Sequence, residues 1–585
     1  MNYKELRALL LRRFGMSKER SIRRVLHSLT IAEKAVFYFL TAVFLLSGVS
    51  LLWKVSDTFL VEVPSLGGTL TEGVVGNPRF INPVLAISEA DKNLVSLLYS
   101  GPVRITPEGK IENDLAEEVT ISDDRRTYTV RLREDVRFHD DTLVTADDLI
   151  FTIQKITDPS IKSPKRGNWD GIALEKIGER TVSFTLKQAY TPFIYNLTIG
   201  ILPKHIWKNV SLDEFSFSQF NTLPIGSGPY KVEKVERNPG GIPNLYELAP
   251  FEKVSNKVPF IKHLVFRFYP SEITLIEAFN SRDVESIGGI SPEKILELQT
   301  GGSRVISSPL PRVFAVFFNQ SQSRALLNKE VRQALNLTSP KEEIIEKILG
   351  GYATAITGPM PAGIYSWTSQ EDNKLTPAER LGRAKELLAK AGWQTNPKTG
   401  ILEKKSSSGT MSLSFSISTS DAPELQQVAN ELVIAWEKLG AKVDIVVFEI
   451  GELNQSVIRP RNFQALLFGE IVSRDTDLYP FWHSSQRADP GLNIALYANS
   501  RADKYLDNAR SANDPEVVEE NYKAFAKEIE RDVPAVFLYT PSFLYIVPEK
   551  IEAIGLDSLT VSQDRFLSIT DWYIETDKVW KIFVN

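Results

Sequence analysis

The sequence predicts a mixed α/β protein that lies outside the cytoplasm behind one N-terminal transmembrane helix. Three observations lead to this prediction. Residues 35–53 are predominantly apolar and uncharged, several later segments alternate apolar and polar residues, and capped amphipathic helices pass directly into strands. Helix-to-strand steps of this kind are typical of layered α/β domains.

The membrane prediction rests on Ala35–Trp53, which contains no charged residue. A helix of this length rises about 28 Å, close to the roughly 30 Å hydrocarbon thickness of a bilayer. Residues 1–34 carry nine basic and three acidic side chains. The positive-inside rule therefore predicts a cytoplasmic N-terminus and an extracytoplasmic remainder.

Two other interpretations of this segment are a buried core helix and a cleaved signal peptide. A core helix rarely lacks a polar face over this length. A signal peptide normally has a shorter basic region and a shorter apolar run, and no Ala-x-Ala-like site follows before Pro64. The predicted order is a basic cytoplasmic segment at 1–34, a transmembrane helix at 35–53 and a spacer at 54–65.

Composition narrows the possible partners. The chain has 585 residues, of which 43% are hydrophobic and 24% charged, so it is globular in composition and too large for one core. Its net charge of −5 combines +6 on residues 1–34 with about −11 on the rest, and an acidic exterior argues against nucleic acid as a partner. The absence of cysteine excludes disulfides, thiolate metal sites and a lipidated cysteine anchor.

Capping and alternation place the main elements. Helices are predicted to start at capping residues that precede amphipathic runs. These capping residues are Ser88, Thr145, Ser271, Thr376, Asp421 and Asp514. Strands are predicted at Thr127–Arg133, Arg180–Lys187, Val313–Asn319 and Ala535–Val547. Gly226–Gly228 is predicted to be a tight turn and Thr395–Gly409 a solvated hairpin or loop. Folded structure is expected to begin near Leu70.

The sequence offers little support for catalysis. No pair of the five histidines has metal-ligand spacing, and no nucleophile elbow, Walker loop or dinucleotide fingerprint is present. Adjacent carboxylates such as Asp140 and Asp141 are typical of solvated surface or of helix N-terminal charge. We therefore predict no enzymatic activity, no cofactor and no metal site.

Aromatic and charged residues are concentrated in one later segment, which comprises Arg474, Asp475, Asp477, Tyr479, Phe481, Trp482 and His483. One interpretation is a surface loop with its rings tucked beneath it. The other is a ligand-facing segment, because rings supply flat apolar walls and a few charges fix the orientation of a ligand.

With these segments identified, the chain resembles the extracellular solute-binding proteins of family 5, the peptide- and nickel-binding receptors of ABC importers. The likeness extends from about Leu70 to Gly555. Its motifs occur in the family's order and are INPVLAISEADKNLVSLLYSG, DDRRTYTVRLREDVRFHDDTLVTADDLIFTIQKITDP, ILPKH, GSGPYKVEKVE, the segment 316–351, AKELLAKAGW and LYANSRADKYLDNAR. Each motif alone is weak, and the ordered series is specific.

The resemblance implies a periplasmic-binding-protein-like fold of type II, with two α/β lobes that close on a ligand. The first lobe would comprise 66–309 and 531–585, with an inserted subdomain at about 99–220. The second lobe would comprise 310–530. Chain crossings near Leu310–Arg312 and Asp532–Ala535, both with a proline, would form the hinge.

The resemblance also implies a function. Such a receptor captures peptides or similar small solutes by closing its lobes, and it holds peptides largely through backbone hydrogen bonds. It delivers them to an ABC-transporter permease, and it is a monomer. The apolar helix would then replace the lipid anchor that many of these receptors carry.

The expected ligand-binding strand departs from the family pattern. In many peptide-binding members, Gly-Trp at the end of a second-lobe strand is followed by an Asp that pairs with the peptide amine. In this chain Gly469 matches, Glu470 replaces the Trp and Ser473 lies nearest the Asp position, so Asp475, Asp477 or Glu470 would have to supply the charge. The candidate ligand-binding residues are Gly469, Glu470, Ser473, Arg474, Asp475, Asp477, Tyr479 and Trp482.

Two other functions remain open from the sequence. The basic segment 1–34 allows a sensor or partner-binding module that kept the two-lobed fold without transport. The cluster of Asp475, Asp477 and His483 allows, more remotely, an extracytoplasmic hydrolase.

Overall fold

The computed structural model describes residues 29–362, 375–406, 409–472, 477–512, 514–556 and 559–583. The predicted basic segment therefore lies, up to residue 28, outside the described residues. The described chain divides into two compact units, one made of residues 29–65 and 575–583 and the other of residues within 66–574.

The strands are numbered in chain order. They are β1 (Leu60–Ser65), β2 (Gly67–Val75), β3 (Val103–Ile105), β4 (Ile111–Asn113), β5 (Ala116–Ile121), β6 (Thr127–Leu132), β7 (Ala173–Gly178), β8 (Thr181–Thr185), β9 (Tyr230–Arg237), β10 (Pro243–Pro250), β11 (Ile261–Tyr269), β12 (Ser286–Gly288), β13 (Ser303–Pro309), β14 (Arg312–Phe318), β15 (Ala353–Ala355), β16 (Trp393–Thr395), β17 (Leu402–Ser406), β18 (Gly409–Ser412), β19 (Ser414–Ser420), β20 (Lys442–Phe448), β21 (Ala465–Ile471), β22 (Ala535–Pro548) and β23 (Glu575–Trp580).

The longer helices are α1 (Ile31–Thr58), α2 (Glu89–Leu98), α3 (Ala146–Thr157), α4 (Glu272–Asn280), α5 (Lys329–Thr338), α6 (Lys341–Lys347), α7 (Pro377–Lys390), α8 (Pro423–Leu439), α9 (Ser500–Ser511) and α10 (Pro515–Asp532). Short helical turns are Arg166–Trp169, Thr191–Thr198, Lys204–Trp207, Phe215–Phe217, Gln219–Asn221, Pro292–Glu297, Arg324–Leu327, Ile450–Glu452, Leu453–Ile458, Tyr479–Trp482, Ser484–Gln486, Ser562–Ser568 and Lys581–Phe583.

The first unit contains the apolar helix predicted from the sequence. Within α1, Ile31–Leu51 has a mean hydropathy of 1.8 and none of it is buried, so it is long and apolar enough to cross a membrane. The hydroxyl of Thr41, one of its few polar groups, donates to the carbonyl of Phe37 at 2.8 Å. A polar group satisfied within its own helix suits an apolar environment.

The segment predicted as a spacer contains a strand. β1 pairs antiparallel with β23, and the ring of Phe59 stacks on Trp580 with centroids 6.5 Å apart. The unit that contains α1 therefore includes residues from near both ends of the chain.

In the second unit one long sheet has the strand order β20-β19-β21-β14-β22-β12-β2-β11-β10-β9, with β13 and β15 also paired to β22. The 14-residue strand β22 has different pairing partners in its first and second halves. Residues Ala535–Pro541 pair with β14 and β15, and Ser542–Pro548 pair with β13 and β12. The pairing therefore changes at Pro541–Ser542, later in the chain than the predicted crossing near Asp532–Ala535.

The second predicted chain crossing lies beside Pro541–Ser542. It consists of Leu310 and Pro311, which join β13 to β14. The amide of Leu310 donates to the carbonyl of Pro541 at 2.9 Å. Leu310–Pro311 and Pro541–Ser542 are therefore adjacent, and each contains a proline.

Buried apolar residues form separate cores on the two sides of these crossings. The first core comprises side chains between Leu70 and Leu310 together with Phe543–Trp572. The second and third cores lie on opposite faces of β14, with Val316 and Phe318 in the second and Val313 and Phe317 in the third. Because both faces are covered, β14 is an almost uninterrupted apolar run.

Most of the predicted helix starts are confirmed. Ser88 accepts from the amide of Asp91, and Thr145 and Thr376 each form a capping box with the residue three positions later. The prediction for Asp421 is wrong by one residue, because Ala422 is the N-cap of α8. The amide of Asp421 instead donates to the carbonyl of Phe448. Of the two alternatives predicted for Thr395–Gly409, a hairpin or a loop, the structure has the hairpin: β16 and β17 pair antiparallel within the small sheet β16-β17-β18.

The turn at Gly226–Gly228 packs against the end of α2. A Cβ atom on Gly226 would lie 1.8 Å from the carbonyl oxygen of Leu98, so only glycine fits. His139 completes the contact: its Nδ1 accepts from the amide of Gly226 at 3.2 Å, and its Nε2 lies 3.2 Å from the carbonyl oxygen of Gly228. This arrangement requires the neutral imidazole, and burial lowers the pKa of His139 to about 4.

His139 is therefore expected to make stability depend on pH. The unfolded chain, with an ordinary histidine pKa of about 6.5, binds this proton more readily than the folded chain, so folding stability falls as pH falls from about 6.5 towards 4. Between pH 7 and pH 5 the loss should be about 2 kcal/mol. Urea unfolding of the wild type and of His139→Gln at both pH values measures it. An equal pH dependence in the two proteins would contradict the assignment.

Candidate functional site

The predicted ligand-binding residues begin at the end of β21. Gly469 lies against the ring of Phe314 on β14, and a Cβ atom at this position would be 2.8 Å from that ring. The ring of Phe314 in turn stacks on Tyr539 with centroids 4.9 Å apart. Glycine is required here because the stacked rings occupy the space of a side chain.

Glu470 is a buried carboxyl group, with 7% of its surface exposed. It is paired with Val313 across the sheet, so its side chain lies on the face of the third core. Among the described residues, its Oε1 has no hydrogen-bond partner and the carboxyl group has no ion-pair partner. Burial raises the pKa of Glu470 well above its usual range.

Two further polar atoms at the third core lack partners among the described residues. They are Nε1 of Trp482, a member of this core, and Oγ1 of Thr357, which follows the core residue Ile356. Buried polar groups in proteins are nearly always hydrogen-bonded, so each exception needs a physical explanation. A bound molecule with polar groups is one such explanation.

Asp477 and Tyr479 meet around Arg510 of α9. The Nε atom of Arg510 lies 3.3 Å from Oδ2 of the buried Asp477, and its guanidinium lies 4.5 Å from the ring centroid of Tyr479. A second ring, that of Tyr190, has its centroid 5.5 Å from the same guanidinium. Arg510, Asp477, Tyr479 and Tyr190 are called the Arg510 cluster.

The Arg510 cluster joins distant parts of the chain. Tyr190 packs against the first core, whereas Tyr479 packs against the third. Cation–π contacts are worth about 0.5–2 kcal/mol. The cluster is therefore a direct link between the two sides of the crossings.

A cavity of about 600 Å³ lies beside this link. Its walls are the loops 167–172 and 186–196, and Tyr190 lines it. Its polar side chains include Asn168, Asp170, Lys187 and Gln188. A molecule bound near the Arg510 cluster would therefore have polar groups within reach on the first-core side.

The remaining predicted residues are placed differently. Trp482 is 1% exposed and packs against Phe317 and Phe537, so it supports the site from within the core. Ser473, Arg474 and Asp475 lie outside the described residues.

The acid and the histidine of the remote hydrolase hypothesis face different partners. His483 stacks on Tyr479 at 4.1 Å, and its Nε2 lies 3.8 Å from carboxylate oxygens of Asp503 and Asp507. Asp477 is held by Arg510 instead.

Sequence reasoning missed Arg510 and Tyr190. Tyr190 belongs to none of the quoted motifs, and it is far in sequence from Arg510. The only available signal was the position of Arg510 in the LYANSRADKYLDNAR segment.

A mixed α/β unit with separate cores on either side of a double strand crossing, and with a polar, aromatic link between them, is the architecture of a two-lobed binding protein. The sequence profile of the bacterial extracellular solute-binding proteins, family 5 Middle, matches residues 110–489. The chain belongs to this family. The prediction of a family 5 solute-binding protein with a two-lobed periplasmic-binding-protein fold is thus confirmed. The family and the apolar helix α1 fit a location outside the cytoplasm.

Individual relatives agree with this assignment. The oligopeptide-binding protein AppA of Bacillus subtilis is 26% identical over 496 residues, which cover 84% of this chain and 89% of AppA. The solved structure of that protein with a nonapeptide has a TM-score of 0.64 at 25% identity and covers 88% of this chain and 100% of its own. NikZ from Campylobacter jejuni, in complex with Ni(L-His), has a TM-score of 0.64 at 25% identity, with 86% and 99% covered.

Proposed function

We propose that this protein captures peptides or similar small solutes between its lobes and delivers them to the permease of an ABC importer. The observation that carries the proposal is the family match over residues 110–489, together with a relative named for oligopeptide binding and a related structure that holds a nonapeptide. Catalysis has no part in this function.

The lobes are assigned from the cores and the sheet. One lobe contains the first core, with the inserted subdomain at about 99–220, and the other contains the second and third cores. The hinge consists of Leu310–Pro311 and Pro541–Ser542, where the pairing changes. Ligand that contacts both lobes favours the closed state.

Glu470 is the proposed recognition group for the ligand. A buried carboxyl group without a partner among the described residues suits a ligand that carries an ammonium, a guanidinium or another strong hydrogen-bond donor. Binding such a group would satisfy the unpartnered Oε1, and a cation would also favour the ionised form. Asp477 is already held by Arg510, which makes Glu470 the better candidate among the described carboxylates.

The helix α1 is proposed to hold the receptor in the membrane with residues 1–34 in the cytoplasm. A tether raises the effective concentration of receptor at its permease without any new contact. The expected result is that protein from membranes still contains peptides from residues 1–34, detected by mass spectrometry. A mature N-terminus after Pro64 would contradict the tether and leave the receptor function intact.

The function itself is tested with the full chain purified in detergent. Mass spectrometry of co-purified small molecules should find peptides or similar solutes, and peptide libraries should raise the melting temperature. The absence of both, combined with recovery of a signalling protein and no permease from crosslinked membranes, would favour the sensor function.

Arg510→Met is expected to weaken peptide binding about 10-fold, because it removes the ion pair with Asp477 and the contact with Tyr190 across the lobes. Calorimetry with a binding peptide measures the affinity, and small-angle scattering should show a more open ensemble. Arg501→Met is the matched control, since Arg501 is on the same helix and pairs with Glu528 at 3.4 Å. Equal affinities in the two variants would refute the role of the Arg510 cluster.

A further inference from the structure

Three neighbouring strands of the first lobe bring Glu233 of β9, Glu247 of β10 and His263 of β11 to one face of the sheet. The pairing of β9 with β10 shifts register at this point. Glu247 is opposite Lys234 and Leu248 is opposite Val232, which leaves Glu233 as the extra residue of a β-bulge. A bulge redirects a side chain, and here the three side chains converge.

The distances within this group, called the His263 cluster, match those of metal ligands. Nδ1 of His263 lies 3.1 Å from Oε1 of Glu247 and 3.7 Å from Oε2 of Glu233, and all three ligand atoms lie within 4.8 Å of one another. Ligands at 2.0–2.2 Å from a tetrahedral zinc ion are separated by about 3.4 Å. Shifts of a few tenths of an ångström would bring the histidine to that separation from both carboxylates.

The surroundings of Nδ1 suit either a hydrogen or a metal ion on this atom. This atom is buried and has no hydrogen-bond partner in the described part of the chain, although the carboxylates stand close to it. A neutral imidazole with its lone pair facing two carboxylates is repelled by them. A hydrogen on Nδ1, in the neutral or the protonated ring, or a metal ion in its place removes that repulsion.

The neighbouring lysine is engaged elsewhere. Nζ of Lys234, on the same strand as Glu233, donates to Glu236 at 2.6 Å. The side chains of the His263 cluster remain partly exposed, at 50% for Glu233, 28% for Glu247 and 34% for His263. An ion can therefore enter from solvent and keep at least one water ligand.

We infer that the His263 cluster is a binding site for a divalent transition-metal ion, with zinc or cobalt preferred over magnesium or calcium. One imidazole and two carboxylates form a mixed nitrogen and oxygen set, which suits these metals better than the all-oxygen sites of magnesium and calcium. The bound ion would join β9, β10 and β11 at the end of the long sheet. This site is independent of the proposed solute and its cleft.

Binding is measured on the full chain in detergent, purified without a polyhistidine tag and stripped with a chelator. Calorimetry with ZnCl2, and the visible absorption of the CoCl2 complex, should show one site. His263→Ala and Glu247→Gln should each weaken binding at least about 100-fold. His205→Ala, which removes a histidine outside the His263 cluster, should bind as the wild type does.

The outcomes distinguish a metal ion from a proton on His263. Site-specific loss in His263→Ala and Glu247→Gln, with melting temperatures of the metal-free variants close to wild type, supports a metal site. No binding of zinc or cobalt by wild-type protein would show that a proton on His263 fills this role, and would overturn the inference. Metal binding that survives both substitutions would place the ion elsewhere and would overturn it as well.

Discussion

Arg565→Met is expected to lower the free energy of unfolding of the unit 66–574 by about 3–5 kcal/mol, the usual cost of leaving one member of a buried ion pair without its partner. The guanidinium of Arg565 is 3% exposed, and its Nε and Nη2 donate to Oε1 of Glu72 at 2.9 and 2.6 Å. Its Nη1 donates to Asn93 and to the carbonyl of Ser562. Glu72 also accepts from the hydroxyl of Tyr545 at 2.5 Å.

Urea unfolding at pH 7 measures the effect. Lys294→Met is the control, because Lys294 and Glu297 form an exposed pair whose loss should cost less than about 1 kcal/mol. Combining Arg565→Met with Glu72→Leu should recover part of the loss, since the stranded charge is gone. A loss below about 1 kcal/mol in Arg565→Met would show that the pair does not stabilise the fold.

Glu470→Leu is expected to change stability and binding in opposite directions. Without ligand, removal of a buried carboxyl group whose Oε1 has no partner in the described part of the chain should raise the free energy of unfolding by about 1–3 kcal/mol. Ligand affinity should fall about 10- to 100-fold, because the group that recognises the ligand is gone. Urea unfolding and calorimetry with a bound peptide measure the two effects.

A matched pair of variants distinguishes charge from shape. Glu470→Gln keeps the size and hydrogen-bonding capacity of the side chain, so it should retain a ligand recognised as a neutral donor and lose one recognised as a cation. Glu437→Leu, an exposed substitution in α8, should leave both stability and affinity near wild type. Unchanged affinity in Glu470→Leu would remove this residue from the ligand-binding site.

The sequence was informative where local chemistry determines structure. The caps at Ser88, Thr145 and Thr376 satisfy nearby amides, so their signals lie within four residues. The apolar run of α1 needs no tertiary context to be recognised. The ordered motifs gave the family and hence the two-lobed fold.

Long-range pairing could not be predicted in the same way. The shared strand β22 appears in sequence only as a long apolar run, and its change of partners at Pro541–Ser542 depends on strands hundreds of residues earlier. The position of Arg510 beside Tyr190 and the convergence of the His263 cluster depend on tertiary structure and on a bulge. Local periodicity does not contain that information.

The shared strand also has a consequence for the order of folding during synthesis. The first core needs Phe543–Trp572, so it cannot close until the chain is nearly complete, whereas the second and third cores use only residues up to Tyr539. As the chain emerges from N- to C-terminus, the lobe of the second and third cores can fold first. The earlier-made part of the other lobe keeps its apolar surface exposed during that time. The ion pair between Arg565 and Glu72 therefore forms late in folding. Export chaperones would be needed at the apolar surface that stays exposed until then.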